Sequence, residues 1–392
     1  MTQRIIILII DSVGIGEQPD AHFYNSIGAN TLHHAAQSID GFHVPNLQEL
    51  GLGNVFGVCD ISPVSEPKAS YGRMVEVTGG NDTFAGVWEM AGVVFEGRFT
   101  SFSPKIPDVL VEKLQKSIGT GTLCNAYISG FKALDEFADE HFASGEPIVY
   151  TCDDGVVLVA AHEDILPPDK LRIIGYKMSR FFAGMNVSRI IARPFVGTKG
   201  RFVRTENRRD FIVPFTMQGV HLFQRIKEVG VNFTTTEHLT SLIGQNFVTE
   251  TIPGVKDSSG IMDSVCEFLQ RDVSGVSMFV VPDFDMSGHR KEPKTYASDL
   301  VAFDQMLGEV LGLTRQQDIL VIVADHGCDP VLPIRGHTRE YVPLLVLNQN
   351  YPGQNLGTRE TFADLGQTIC DLIGSDPISV GKSFARQILE KE

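Results

Sequence analysis

Three apolar runs along the chain end abruptly on polar clusters. Ile5–Ile10 stops at Asp11, Val276–Val281 runs out near Asp283 and Asp285, and Ile319–Ala324 stops at Asp325-His326. Val342–Leu347 is a fourth run of the same composition. Unbroken β-branched and aliphatic runs of this length predict strands covered on both faces, as in parallel sheets. Between them the periodicity changes. Leu300, Phe303, Leu307 and Val310 share one helix face, as do Phe362, Leu365, Ile369 and Leu372. Thr361, with Asp364 three positions on, predicts an N-cap for the second of these helices. Alternating strands and helices make an α/β core of three layers with a mostly parallel sheet.

The stretch from Thr100 to Phe215 reads differently. Its apolar segments are shorter (Ile148–Cys152, Val156–Ala161, Arg189–Ala192) and are separated by turns and two predicted helices. We expect an α+β unit inserted into the core, so that residues 1–99 and 216–392 form one domain and 100–215 the other. A chain of 392 residues is long enough for two cores. The sequence shows no internal repeat and no low-complexity segment.

Composition narrows the classes of function. Hydrophobic residues at 43% and charged residues at 21% are globular values. No apolar stretch reaches the eighteen or so residues that span a bilayer. The opening apolar run ends on Asp11 without a small-residue cleavage site, so it reads as a buried strand rather than a leader. The six cysteines are scattered with no CxxC pair, which fits free thiols in a reducing, cytoplasmic setting. A net charge of −15 argues against nucleic acid as partner. A small phosphate ester needs only a few local cations and stays in play. Nothing in the sequence sets an oligomeric state.

The candidate chemistry lies at the ends of the predicted strands, where open α/β sheets bind ligands. Asp11 follows one, Asp285 and His289 another, Asp325 and His326 a third, and His337 comes eleven residues after His326. Carboxylates with imidazoles and no thiolate suit Mn²⁺, Mg²⁺ or Zn²⁺. A lone Asp at a strand end is usually a helix cap, and a lone His a structural residue. Three such clusters together favour a metal site. The segment Gly79-Gly-Asn-Asp-Thr83 places a threonine hydroxyl at a turn into a helix, although spacing alone favours an ordinary Asp82-Thr83 capping pair. Arg189, Arg193, Arg201, Arg204, Arg208 and Arg209 form a basic stretch within an acidic chain. Guanidinium forks grip phosphate bidentately, which points modestly to a phosphate site.

Taken together, these segments resemble the phosphopentomutases of the alkaline phosphatase superfamily over nearly the whole chain. The likeness is carried by Asp11-Ser-Val-Gly-Ile-Gly, Ala29-Asn-Thr-Leu, Asp82-Thr with Trp88-Glu-Met-Ala-Gly, Ala161-His-Glu and Ala192-Arg-Pro-Phe-Val-Gly. It continues in Arg204-Thr-x-Asn-Arg208-x-Asp, Asp283-Phe-Asp with Gly288-His-Arg, Ala324-Asp-His-Gly and Gly336-His-Thr-Arg-Glu-Tyr-Val-Pro. The resemblance implies an alkaline phosphatase-like core with an inserted cap and two divalent metal ions, Mn²⁺ in the family. One ion would be held by Asp11, Asp325, His326 and the Thr83 oxygen, the other by Asp285, His289 and His337. Thr83 would be the phosphorylated residue in an exchange between ribose 1-phosphate and ribose 5-phosphate, with a sugar bisphosphate as activator. Asp154, Arg193 and Arg208 would hold the small phosphorylated sugar.

Several positions depart from the family pattern. Around the nucleophile, which in the family is close to Gly-Lys-Asp-Thr-x-Thr-Gly-His-Trp-Glu, Asn81 replaces the lysine, Ala85 the second threonine and Val87 the histidine. An ungapped alignment puts Glu237 opposite a substrate-contacting lysine, Gly155 and Leu158 stand where Ser and Gln are usual, and Gly336 replaces an Asp. The Asp285-to-His289 spacing is one residue shorter than in typical members. All proposed metal-site residues are kept while the substrate side changes, which describes a divergent paralogue. Competing readings are a metal-dependent phosphatase, a mutase on a different phosphorylated substrate, and a metal-binding pseudoenzyme.

Overall fold

Every residue of β1 (Arg4–Ile10) is buried, which is what the unbroken Ile5–Ile10 run requires of a central strand. The computed structural model describes residues 4–152, 155–215, 219–334 and 336–390. After β1 come β2 (Ser70–Met74), β3 (Leu123–Tyr127), β4 (Ile148–Thr151), β5 (Val156–His162), β6 (Arg189–Val196), β7 (Val203–Arg204) and β8 (Arg209–Ile212). The chain continues with β9 (Phe233–Thr236), β10 (Glu250–Ile252), β11 (Gly275–Val281), β12 (Ile319–Val323), β13 (Val342–Asn348) and β14 (Asn355–Arg359).

Two compact units result, one made of Met1–Glu96 with Met217–Glu392 and the other of Gly97–Thr216. The first holds an eight-stranded sheet in the order β10-β9-β11-β1-β12-β13-β2-β14. Its pairings are parallel except for those of β13, which runs antiparallel to both β12 and β2. The Val342–Leu347 run is therefore buried on both faces as expected, but it is the one reversed strand of a mostly parallel sheet. Two groups of helices cover the sheet. Ser258–Gln270, Asp283–Arg290 and Pro293–Leu313 pack together, and Thr83–Met90, Leu222–Glu228 and Ala363–Ile373 form the other group. Leu300, Phe303, Leu307 and Val310 all turn inward from the long helix Pro293–Leu313. The last of the patterned helices begins a step later than Thr361 predicts. Phe362 is its N-cap, and the Thr361 hydroxyl accepts from Ala363 N–H at 3.1 Å while donating to Glu89 at 2.8 Å. Among the described residues, no helix is long and apolar enough to cross a membrane.

The second unit is built on a mixed sheet in the order β3-β4-β5-β6-β7, with β8 also pairing β6. It carries three helices, Asp108–Ile118, Gly130–Ser144 and Pro168–Phe181, one more than the sequence pattern predicts. The first of them is easily overlooked because only Leu114 and Ile118 are buried on it. Two apolar clusters surround the sheet, one around Val157, Val159 and Phe182, the other around Tyr150, Leu158 and Phe195. Leu158, unusual for the resemblance, is thus a core residue. Gly155 has a similar explanation: its φ is +66°, and a Cβ there would stand 2.5 Å from the Phe99 Cβ.

At the start of β1 the Arg4 guanidinium is wholly buried. Its Nε donates to Asp318 Oδ1 at 3.0 Å and its Nη1 to the Leu269 carbonyl at 2.6 Å. Removing one partner of such a pair strands the other charge away from water. Asp318→Ala is expected to cost about 3–5 kcal/mol of stability, read as a fall in the thermal unfolding midpoint. A change within error would mean that water reaches Arg4.

Candidate metal centre and its scaffold

Strands β11, β1 and β12 are adjacent and parallel, with Ile10 level with Val281 and Ile9 level with Val323. Their carboxyl ends therefore open side by side. Asp11 leaves β1 directly, and Asp325 and His326 leave β12. Beyond β11 the chain turns into the helix Asp283–Arg290, where Asp285 and His289 stand four residues apart and so share one face. His337 comes from the loop before β13, next to the bridge that pairs Gly327 with Thr338.

The side chains converge. His326 Nε2 lies 3.4 Å from Asp11 Oδ1 and 3.6 Å from Asp325 Oδ2. His289 Nε2 lies 3.4 Å from Asp285 Oδ2, His337 Nε2 lies 3.3 Å from Asp285 Oδ1, and the two Nε2 atoms face each other at 3.1 Å. His326 also groups with Asp285 and His337, so the two expected ligand sets form one continuous cluster rather than separate pockets. Burial and the neighbouring His337 hold the His326 imidazole well below its usual pKa, leaving it neutral. Burial pushes the Asp325 carboxyl up to about 7, against the Ser12 N–H that donates to its Oδ1 at 3.1 Å. Burial also acts to raise Asp285, but the His289 and His337 imidazoles outweigh it and hold this carboxyl well below the usual range. Asp325 Oδ2 is buried and accepts no hydrogen bond from the described residues. Crowded carboxylates with an orphaned oxygen, beside imidazoles, fit divalent cations with oxygen and nitrogen ligands.

Thr83 begins the helix Thr83–Met90. Asp82 caps it, accepting from Ala85 N–H at 3.0 Å. Asp82 serves as the cap, and the Thr83 hydroxyl stands 3.3 Å from His326 Nε2. Gly86 allows the approach, since a Cβ there would run into the Asp325 carbonyl. The departures beside Thr83 are interior ones: Ala85 and Val87 are fully buried, and Asn81 is buried with an oxygen that accepts no hydrogen bond from the described residues. Glu237 is exposed at the start of the helix Glu237–Ile243, directly after β9.

Three buried charged residues in the quoted motifs, given no role by the sequence, turn out to brace the loops. Glu89 accepts from Val77 N–H at 3.0 Å, Thr78 N–H at 2.7 Å and Phe362 N–H at 3.0 Å, tying the segment before Thr83 to the last long helix. Arg339 reaches Glu76 at 3.0 Å and donates to the Thr78 carbonyl at 2.9 Å. Glu340 accepts from Gly16 N–H at 3.1 Å, Thr31 N–H at 2.9 Å and the Thr31 hydroxyl at 2.6 Å, fixing the loop after Asp11. Charges at buried positions next to loop glycines were the available signal.

Within the inserted unit, Arg193 lies on β6 and Arg208 between β7 and β8. Asp210 grips Arg208 through two bonds of 2.8 Å, while Arg204 donates to the Tyr150 hydroxyl at 2.9 Å. Burial, with the charges of Arg208 and Arg204 nearby, lowers the pKa of the Arg193 guanidinium. Asp154 lies outside the described residues.

Behind Thr83 the Trp88 ring packs edge-on to His221, with centroids 5.2 Å apart. Burial holds the His221 imidazole down to about 4 from its ordinary 6.5. The folded state disfavours the charged form, so the associated stability is complete above pH 6.5 and is lost as pH falls through about 4. The loss amounts to about 3 kcal/mol. In His221→Phe, the decline in unfolding temperature between these pH values should be shallower than in the wild type. Parallel curves would exclude His221 as its source.

Comparison with known proteins gives the family. Residues 3–377 match the model of the Metalloenzyme superfamily. A phosphopentomutase of Desulfitobacterium hafniense is 38% identical, the match covering 99% of this chain and 100% of the relative. One from Acetivibrio thermocellus is 39% identical, with 99% and 100% covered. Among solved structures, a phosphoglycerate mutase of Leishmania mexicana superimposes with a TM-score of 0.45 at 14% identity, over 98% of this chain and 97% of that one. With its α/β core, its converging metal-type ligands and full-length likeness to these relatives, the chain belongs to the phosphopentomutase family of the Metalloenzyme superfamily and is a mutase.

Proposed function

We propose that the protein exchanges a phosphoryl group between the 1- and 5-positions of ribose phosphate through a phosphorylated Thr83. The observation that carries this reading is the Thr83 hydroxyl, nearly buried at a helix start and 3.3 Å from His326 Nε2 in a cluster of carboxylates and imidazoles. Binding alone has no use for a hydroxyl in that position. Asp11, Asp325, His326 and Thr83 would hold one divalent ion, and Asp285, His289 and His337 a second. Bound there, two Mn²⁺ ions would neutralise charge on the transferring oxygens and favour ionisation of the Thr83 hydroxyl.

The chain's own groups supply the rest. Phosphorylated Thr83 gives its phosphoryl group to the free hydroxyl of ribose 1-phosphate or ribose 5-phosphate, forming the 1,5-bisphosphate. After the sugar reorients, Thr83 takes back the other phosphoryl group. A sugar bisphosphate would prime the cycle by phosphorylating Thr83. Gly86 keeps the Thr83 helix close to Asp325. In the inserted unit, Arg193 suits the substrate phosphate. Its guanidinium is partly buried and forms no hydrogen bond or ion pair with the described residues, so an anion would find an uncommitted fork. We assign Arg208 and Asp154 to the same task.

The test is turnover of ribose 1-phosphate with Mn²⁺ and a sugar bisphosphate, following ribose 5-phosphate and free phosphate together. Ribose 5-phosphate without phosphate release is expected. Free phosphate alone would make the protein a hydrolase. Thr83→Ala should abolish transfer while leaving the unfolding temperature within a few degrees, since it opens no core cavity; normal turnover would remove Thr83 as nucleophile. For His337→Ala, metal analysis should find the content falling from two ions towards one, and unchanged stoichiometry would exclude His337 as a ligand.

A further inference from the structure

The residue after Ala324-Asp-His-Gly is a cysteine, and its sulfur lies beside the metal-type cluster. Donor atoms of Cys328, Asp285 and His289 all stand within 4.8 Å of one another. Cys328 is wholly buried. Its position is set by the backbone, its N–H pointing at the Ser12 carbonyl at 3.1 Å and the Thr31 hydroxyl at 3.2 Å. The side chain rests on the helix that carries Asp285 and His289. It meets that helix at Gly288, where a Cβ would stand 2.7 Å from the sulfur. The glycine between the two ligand-type residues thus leaves room for the thiol. Among the described residues the thiol makes no hydrogen bond, so nothing else accounts for its direction. Asp285, with its Oδ1 3.3 Å from His337 Nε2, belongs to the same group.

We infer that Cys328 is a further ligand of the ion held by Asp285, His289 and His337, and that its sulfur biases this site toward softer divalent cations such as Zn²⁺ or Cd²⁺. The inference rests on the reading that these three residues hold an ion. Donors about 2.0–2.3 Å from a shared ion stand up to roughly 4.5 Å apart, and the three donor atoms here lie within 4.8 Å of one another. As the sulfur–metal bond forms, the thiol proton leaves to solvent, with no change of oxidation state. A thiolate raises affinity for soft and borderline ions far more than for Mn²⁺, which prefers oxygen. The nearby Asp11, Asp325 and His326 have no sulfur in their group, so the two ions would be held by chemically different sites.

The experiment is to strip the full chain with a chelator and reload it with Co²⁺, whose bond to a thiolate gives a sulfur-to-metal charge-transfer band in the near ultraviolet. Wild-type protein should show the band, and Cys328→Ser should lose it while binding the same number of cobalt ions. Competition titration should show Zn²⁺ affinity falling roughly 10–100-fold in Cys328→Ser, with Mn²⁺ affinity changing less than about threefold. Cys328→Ala provides a second variant if the serine protein folds poorly. Two bound cobalt ions without the band, or a band that survives in both variants, would overturn the assignment of Cys328 and leave the three-residue site intact. Failure of wild-type protein to bind cobalt at all would overturn both.

Discussion

The crowding of like charges at the carboxyl ends of β11, β1 and β12 is the constraint to which the rest of the core answers. Asp11, Asp285 and Asp325 sit around three imidazoles, mostly out of water. Left to itself such a cluster would spread apart or take up protons, and burial already pushes Asp325 that way. It stays assembled because Asp11, Asp285, His289, Asp325 and His326 lie on or just beyond strands and a helix whose positions are fixed by packing, while His337 sits beside the bridge between Gly327 and Thr338. Fully buried aliphatic strands supply that rigidity, and loops alone would not. Buried Glu89, Arg339 and Glu340 extend it into the loops by satisfying their backbone groups. The core is thus a rigid frame around an electrostatically unfavourable centre that cations would relieve.

Much of this was legible in the sequence, for a physical reason. A strand covered on both faces must be apolar throughout, so Ile5–Ile10, Val276–Val281 and Ile319–Ala324 announce themselves, and the polar residues that end them mark where ligands sit. What could not be read is what depends on direction. The reversal of β13 leaves no trace in its composition, because the strand is buried on both faces either way. Thr361 accepts from Ala363 N–H as a capping residue does, but its hydroxyl also donates to Glu89, a partner remote in sequence. The bracing roles of Glu89, Arg339 and Glu340 likewise exist only once distant loops meet. The helix Asp108–Ile118 presents too little buried surface for its periodicity to stand out.

The departures from the family pattern take on a different meaning in three dimensions. Leu158 joins an apolar cluster, and Gly155 lies where the Phe99 side chain, nearest at its Cβ, occupies the space of a side chain. Ala85 and Val87 are interior residues of the Thr83 helix. These positions are governed by packing, so their change is compatible with a preserved catalytic frame. Asn81 and Glu237 are of another kind. One carries a buried oxygen without a hydrogen bond from the described residues, and the other puts a negative charge at the mouth of β9.

The strand order carries a consequence for biosynthesis. Central strand β1 has no sequence-local partner: its neighbours begin at Gly275 and Ile319. As the chain emerges from the ribosome, this fully buried strand of the core waits while Gly97–Thr216 completes a sheet of its own. Pairings this distant close slowly and leave hydrophobic surface open to aggregation in the meantime. The core is therefore committed late, and growth temperature or chaperone supply will govern its yield more strongly than that of the insert.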